Sequence, residues 1–235
     1  MEVWASFTLV GFAAGFVAFI MDFLVDKLVL LKWSASQVLM TTSMNKALLI
    51  FLTLSSLFAG IASLLTVYVG PGAIASGTPE LMAYLNGIDY PKFISLKTLF
   101  VKVFGLSLAV SAGLCIGKEG PLAHIGAILG HGVLYLPMNF LKKFRNETFK
   151  REIACAGAAA GVSAAFGSPI GGSLFIYEVS RPSTFWSFEL MWKIFFCSSI
   201  STFVLNILSC LRKGEDVSIT NAGLIKFGSY DSQPY

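Results

Sequence analysis

The sequence predicts an all-α integral membrane protein, built as a bundle of tilted helices of which several are broken or re-entrant. Charged residues make up only 13% of its 235 residues and hydrophobic residues 55%, whereas soluble domains carry about 25% charged residues. Five long runs contain no charged residue, and glycine and proline interrupt the apolar sequence at three places. All three observations are expected of a chain that crosses a lipid bilayer several times.

The five uncharged runs mostly reach the length of about 20 residues that a bilayer-crossing helix needs. Outside them we expect a polar connection over Lys32–Asn45, a further long helix over Ile94–Ile116 and a polar tail over Arg212–Tyr235. The five runs are Val3–Met21, Ala47–Val69, Pro121–Leu141, Ile153–Tyr177 and Ile194–Leu211.

Two segments between or within these runs carry additional information. Lys142–Glu152 holds five basic and two acidic residues, so the positive-inside rule predicts a cytoplasmic loop there. Ala154–Ala165 consists almost entirely of Ala, Gly, Ser and Val, and it contains the pair Gly157 and Gly161. Because small residues allow close helix approach, we predict that this segment is buried among other helices.

The break at Gly117–Pro121 places a charged pair at the foot of an apolar segment. Proline at the first helical position forgoes only an N–H group that would be unpaired anyway, so Glu119-Gly120-Pro121 predicts a helix start. A helix N-terminus carries about +0.5 charge and several free N–H groups, which together favour an anion. Within a membrane, this start is predicted to be a ligand site that the Glu119 carboxylate can occupy.

Two further breaks follow the same logic, at Ser76–Glu80 and at Gly167–Pro169. In each, a capping hydroxyl precedes a proline in the first turn, which predicts short helices reaching about Gly87 and Glu178. Irregular backbone survives in lipid only where protein or a water-filled cavity satisfies it. Transport proteins hold anions between such discontinuous helices, although glycine and proline are also simply common in transmembrane helices.

Several other classes of site are not supported by the residues present. The four cysteines lie in apolar segments without metal-type spacing, which favours reduced packing residues, and His124 and His131 do not make a metal site. The sequence therefore predicts no metal and no cofactor. A net charge of +4 gives no case for nucleic-acid binding.

The three breaks resemble the signature motifs of one family. Ala75–Glu80 resembles the Gly-Ser-Gly-Ile-Pro-Glu motif of the CLC chloride channel and transporter family, and Gly117–Pro121 resembles its Gly-Lys/Arg-Glu-Gly-Pro motif. Ala165–Glu178 is similar to the third motif, and the nearest branch is the intracellular eukaryotic one. The resemblance implies a CLC-type transmembrane domain over residues 1–235, as the N-terminal half and first of two inverted repeats, without CBS domains.

The resemblance also implies a role for each motif residue in chloride permeation. Ser76 corresponds to the serine that binds the central anion and favours chloride, and Glu119 to the gating glutamate. A carboxylate at a helix N-terminus competes with chloride for the same N–H donors, and protonation frees those donors. The remaining implied anion-binding residues are Gly77, Gly117, Lys118 and Gly120, and the helix-break residues are Thr78, Pro79, Pro121, Ser168 and Pro169.

One motif position departs from the proton-coupled members of the family. Counted without gaps from Gly172, Glu178 corresponds to the first of the family's paired glutamates and Val179 replaces the second. That second glutamate passes protons in the exchangers, which valine cannot do. We therefore expect a passive voltage- or pH-gated channel, with a chloride/proton exchanger as the alternative.

The half-length resemblance leaves other functions open. The chain can form a homodimer, associate with a complementary CLC half, or act as a non-conducting half-subunit of full-length CLC proteins. An intramembrane serine hydrolase using Ser76 with His124 is a further alternative, although we expect no enzyme. The sequence is compatible with an organelle membrane or the plasma membrane.

Overall fold

A computed structural model describes residues 2–40, 43–88, 90, 92–138, 141–180 and 186–214, and within these residues it contains helices and no strand. Short π-helical and 3-10 turns over Leu65–Val69 and Pro71–Ala73 extend the second helix toward the first break. The α-helices of the described residues are α1 (Glu2–Met40), α2 (Met44–Leu64), α3 (Thr78–Leu85), α4 (Leu96–Ala112), α5 (Glu119–Val133), α6 (Glu147–Phe166), α7 (Pro169–Ser180) and α8 (Phe188–Lys213).

Helix α6 lies at the centre of the bundle and packs against α1, α5, α7 and α8. Its residues from Ile153 to Ala164 are all buried, which confirms the predicted burial of the small-residue segment. A Cβ built on Gly157 would overlap the Gly126 carbonyl oxygen of α5. The two backbones are therefore in direct contact, and only the absence of side chains permits this approach.

The remaining helices surround this centre. Helix α1 packs along α8, where a Cβ on Gly11 would lie 2.6 Å from the Cys197 carbonyl oxygen. Helix α2 packs against α1 and α4 at the margin of the bundle, and most of its surface is exposed.

Three helices of the described residues are long and apolar enough to cross a membrane: α1, Met44–Val69 and Phe188–Arg212. The chain is therefore a multi-pass integral membrane protein. The prediction of a spanning helix over Pro121–Leu141 was wrong, because α5 ends at Val133 after 15 residues. Ile153–Tyr177 is divided between α6 and α7 at Gly167, as the third break predicts.

Two predicted boundaries, at the ends of α1 and α4, were also wrong. Lys32 does not begin a polar connection, because α1 continues to Met40 and the Lys32 ammonium is buried against the end of α4. The helix predicted to reach Ile116 ends at Ala112, because Gly113 adopts a left-handed conformation with φ of 92°. Glycine adopts this conformation without steric cost, and the following residues leave the helix.

The polar segments are shorter than predicted. Most of Lys142–Glu152 is helical, since a 3-10 turn covers Leu141–Phe144 and α6 begins at Glu147 with the Asn146 backbone at its N-cap. The tail begins after Lys213, because Arg212 belongs to α8 and forms an ion pair with Asp26 of α1. Residues 215–235, which belong to the predicted polar tail, lie outside the described residues.

Candidate functional site

The first motif forms a tight turn that starts α3. Gly77 is the N-cap of α3 and has φ of 82°, a conformation that suits glycine, so the cap is a glycine and not the predicted hydroxyl residue. The Ser76 hydroxyl oxygen instead accepts a hydrogen bond of 3.3 Å from the Thr78 N–H group. Thr78 and Pro79 occupy the first turn of α3, as predicted for a helix-break motif.

The second motif starts α5 with the carboxylate at its first residue. Glu119 begins the helix and Pro121 is its third residue, so the helix starts two residues earlier than the proline rule predicts. Proline is still tolerated there, because the first four N–H groups of a helix have no intrahelical acceptor. A Cβ on Gly117 would overlap Glu119 Oε2, so the carboxylate is folded back over a position where only glycine leaves room.

These two helix starts meet at one cavity. A Cβ built on Gly120 would lie 2.7 Å from the Cβ of Ser76, so the two turns are in direct contact. A cavity of about 550 Å³ adjoins them, with Ser76, Gly117 and Gly120 in its lining. Its other walls are mostly apolar and come from α2, α4 and residues 114–117.

The side chain of Lys118 points elsewhere. Its ammonium forms an ion pair of 3.0 Å with Asp22 Oδ1 of α1. Only the backbone N–H of Lys118 therefore remains as a candidate contact for an anion beside Glu119.

The third break does not join the cavity. Ser168 accepts a hydrogen bond of 3.1 Å from the Gly171 N–H group, and Pro169 begins α7, as predicted. Neither residue belongs to the described lining of the 550 Å³ cavity. Farther along α7, Val179 is buried in the apolar core with Ile176, whereas Glu178 is exposed.

Sequence reasoning did not predict that Lys102 and His124 form one buried polar cluster behind the Ser76 turn. Lys102 of α4 lines the cavity, and its ammonium donates to the Ala75 carbonyl oxygen at 3.1 Å and contacts His124 Nδ1 at 2.8 Å. His124 Nε2 lies 3.0 Å from the Phe93 carbonyl oxygen. A lysine within an apolar helix was the available signal, because buried charge in a membrane is costly and usually functional.

This arrangement argues against the hydrolase alternative. A histidine that activates a serine needs a ring nitrogen free to accept the hydroxyl proton. The His124 nitrogens are engaged by Lys102 and by the Phe93 carbonyl, and the Ser76 oxygen interacts with Thr78. Ser76 and His124 therefore lack the arrangement of a nucleophile and its base.

Comparison with known proteins decides the family. The sequence model described as "Voltage gated chloride channel" matches residues 58–227. The chain belongs to this family. It is 38% identical to the human protein named H(+)/Cl(-) exchange transporter 7 over 98% of this chain and 30% of that protein. It is 36% identical to chloride channel protein D of Dictyostelium discoideum over 99% of this chain and 23% of that protein.

A solved structure supports the same conclusion for the fold of this CLC family member. The crystal structure of a eukaryotic CLC transporter matches 93% of this chain and 39% of that chain, with a TM-score of 0.79 and 24% identity. The predicted all-α CLC-type fold and the family resemblance are therefore confirmed. The chain spans less than a third of the length of the two named relatives.

Proposed function

We propose that this chain contributes the first part of a chloride-permeation pathway in which Glu119 is the gate. The observation that carries the proposal is the contact between Ser76 and Gly120, which brings the N-termini of α3 and α5 to one cavity. Helix N-termini attract anions through their free N–H groups and partial positive charge. Membership of the voltage-gated chloride channel family supports chloride as the anion.

The proposed gate works by competition for the start of α5. The Glu119 carboxylate lies at the helix N-terminus, folded back over Gly117. An anion at the same N–H groups must displace this carboxylate, or its charge must be neutralised by protonation. Because Ser76 Oγ already accepts from Thr78, its own proton can be donated to an anion in the cavity.

The buried Val179 supports a passive channel. Valine carries no titratable group, and here it is packed among apolar side chains such as Ile176. A proton pathway through this position would need a group that binds protons. The exchanger remains the alternative, and it is favoured by the similarity to proteins named H(+)/Cl(-) exchange transporters.

A second protein surface is proposed to complete the pathway, either a complementary CLC half or another copy of this chain. The cavity is open on the side of residues 114–117, where Leu114 and Ile116 are 48% and 44% exposed. The same open wall favours the alternative of a non-conducting half-subunit that docks on full-length CLC proteins.

The first test measures chloride flux from liposomes that contain the purified chain, with proton movement recorded together. If another copy of the chain completes the pathway, we expect flux in the wild type. We expect Glu119→Gln, which mimics the protonated carboxyl, to remove the pH dependence of this flux. The matched control is Glu178→Gln on α7, an exposed carboxylate outside the cavity, which should leave the pH dependence unchanged. Absence of flux together with inhibition of a co-reconstituted full-length CLC protein would instead support the half-subunit.

The second test concerns proton coupling. Val179→Glu restores a titratable group at the position of the exchangers' proton glutamate, so proton movement opposite to chloride is expected to appear. Glu178→Gln again serves as the control and should add no coupling. Chloride flux through Val179→Glu without any proton movement would contradict the assigned role of this position.

A further inference from the structure

A buried polar cluster lies directly behind the turn that carries Ser76. Lys102 is 3% exposed and His124 is 1% exposed. The Lys102 ammonium uses two of its three donors on the Ala75 carbonyl oxygen and His124 Nδ1. Glu80, in the first turn of α3, attracts the same ammonium electrostatically. The cluster therefore joins α3, α4 and α5 beneath one turn.

The hydrogen bonds assign the tautomer of His124. A carbonyl oxygen only accepts, so the contact with Phe93 places the ring proton on Nε2. Nδ1 is then the acceptor for the Lys102 ammonium, at 2.8 Å. The imidazole ring also stacks on the Phe93 ring, with centroids 4.1 Å apart and planes 11° from parallel. These contacts fix both the position and the orientation of the ring.

The same ring supports the Ser76 turn itself. A Cβ on Gly77 would overlap His124 Nδ1, so the turn rests on the imidazole without a side chain between them. His124 thus contacts Gly77, the residue after Ser76. It also contacts Lys102, whose ammonium donates to the carbonyl oxygen of Ala75, the residue before Ser76. Lys102 and Ser76 line the same cavity, which places a fixed positive charge beside the proposed chloride site.

We propose that His124 is a positioning residue of this site, which holds the Lys102 ammonium beneath the Ala75–Gly77 turn and supports the turn from below. The geometry of this inference rests on the hydrogen bonds alone. Its effect on anion binding rests on the proposed chloride function. Without the imidazole, the ammonium loses one of its two acceptors and the turn loses its support. An anion in the cavity then binds more weakly.

The functional test compares His124→Leu with His124→Gln. Glutamine can donate to Phe93 and accept from Lys102, whereas leucine can do neither. We expect His124→Leu to raise the half-saturating chloride concentration for flux about tenfold, which is the effect of losing a charge-assisted hydrogen bond. His124→Gln should raise this concentration much less, because glutamine can keep both hydrogen bonds. In a Lys102→Met background, His124→Leu should have a much smaller effect, because the two residues act together.

The control is His131→Gln, at the far end of the same helix and next to Tyr135. It should leave the half-saturating concentration unchanged. Equal effects of His124→Leu and His124→Gln, or full additivity with Lys102→Met, would overturn the positioning role.

Nitrogen NMR of histidine-labelled chain separates this inference from the proposed function. The signal of His124 is the one that disappears in His124→Gln. We expect this signal to show a neutral ring with the proton on Nε2. A ring with the proton on Nδ1, or a charged ring, overturns the inference whatever the flux. If the ring has the expected tautomer but the chain gives no chloride flux, alone or with a full-length partner, the proposed function is refuted. The positioning geometry is then still supported.

Discussion

The two sides of the 550 Å³ cavity beside Ser76 and Gly120 are built differently. On one side, α5 rests on α6 with backbone against backbone, and Gly126, Gly130 and Gly157 take part in the contact. On the other side, α2 and residues 114–117 present apolar surface that is largely exposed. The first side resembles a finished protein interior, whereas the second resembles an interface without its partner.

This difference indicates what each side does. Direct backbone contact fixes the axis of α5, and thereby the position of Glu119 at its first residue. Interfaces of small residues hold membrane helices together through close packing. The exposed side carries no such constraint, so lipid or another protein surface must cover it. Variants on the two sides should therefore separate folding from gating.

The largest effect is expected from filling the α5–α6 contact. Gly157→Leu places a side chain where the Gly126 carbonyl oxygen lies, so the helices must separate. We expect the free energy of unfolding in detergent to fall by about 3 kcal/mol or more, measured by thermal or denaturant unfolding. Gly132→Leu is the control, because nothing lies within 4 Å of a Cβ on this glycine of α5.

Leucine forms helix better than glycine, by up to about 1 kcal/mol, so Gly132→Leu should leave stability unchanged or raise it. Similar stability of the two leucine variants would show that α5 and α6 do not meet backbone to backbone.

The packed side was the easier one to predict from sequence. The run Ala154–Ala165 identifies a close helix contact by composition alone, and the three proline breaks mark the starts of α3, α5 and α7 within about two residues. These signals are local: small side chains, capping hydroxyls and proline act within a few residues of their own position.

Features that depend on distant residues were not predicted. Helix α1 continues past Lys32 because the Lys32 ammonium donates a hydrogen bond to the carbonyl oxygen of Ser111, 79 residues away in sequence. Lys102 and His124 are 22 residues apart and meet only in the folded bundle. A polar residue in the sequence indicates a loop until its partner is known, and for this reason the polar connection after Lys32 was wrongly predicted.

A moderate effect is expected at Lys32, which joins α1 to the end of α4. Its ammonium donates 2.7 Å to the Ser111 carbonyl oxygen at the end of α4, where a cation also complements the helix dipole. We expect Lys32→Met to lower the free energy of unfolding by about 2 kcal/mol, the value for a hydrogen bond to a charged group. Lys46→Met, at an exposed lysine of α2, should change unfolding far less.

The smallest change in stability, with a clear change in gating, is expected for the Lys118–Asp22 pair. Both side chains are about two-fifths exposed, at 38% and 41%, so Lys118→Met should cost less than about 1 kcal/mol. The pair nevertheless attaches the residue before Glu119 to α1. Loss of the ion pair frees residues 114–117, the exposed wall beside the Glu119 carboxylate. We therefore expect a shift in the pH or voltage dependence of chloride flux.

The matched control is the Arg212–Asp26 pair, which also joins α1 to another segment and is similarly exposed, at 34% and 52%. It lies away from the cavity lining, so Arg212→Met should match Lys118→Met in stability and leave gating unchanged. Asp22→Asn should shift gating as Lys118→Met does, and the double variant should add little, because the two residues act through one contact. Equal gating in both ion-pair variants would mean that the exposed wall does not constrain Glu119, and that α5 alone positions the gate.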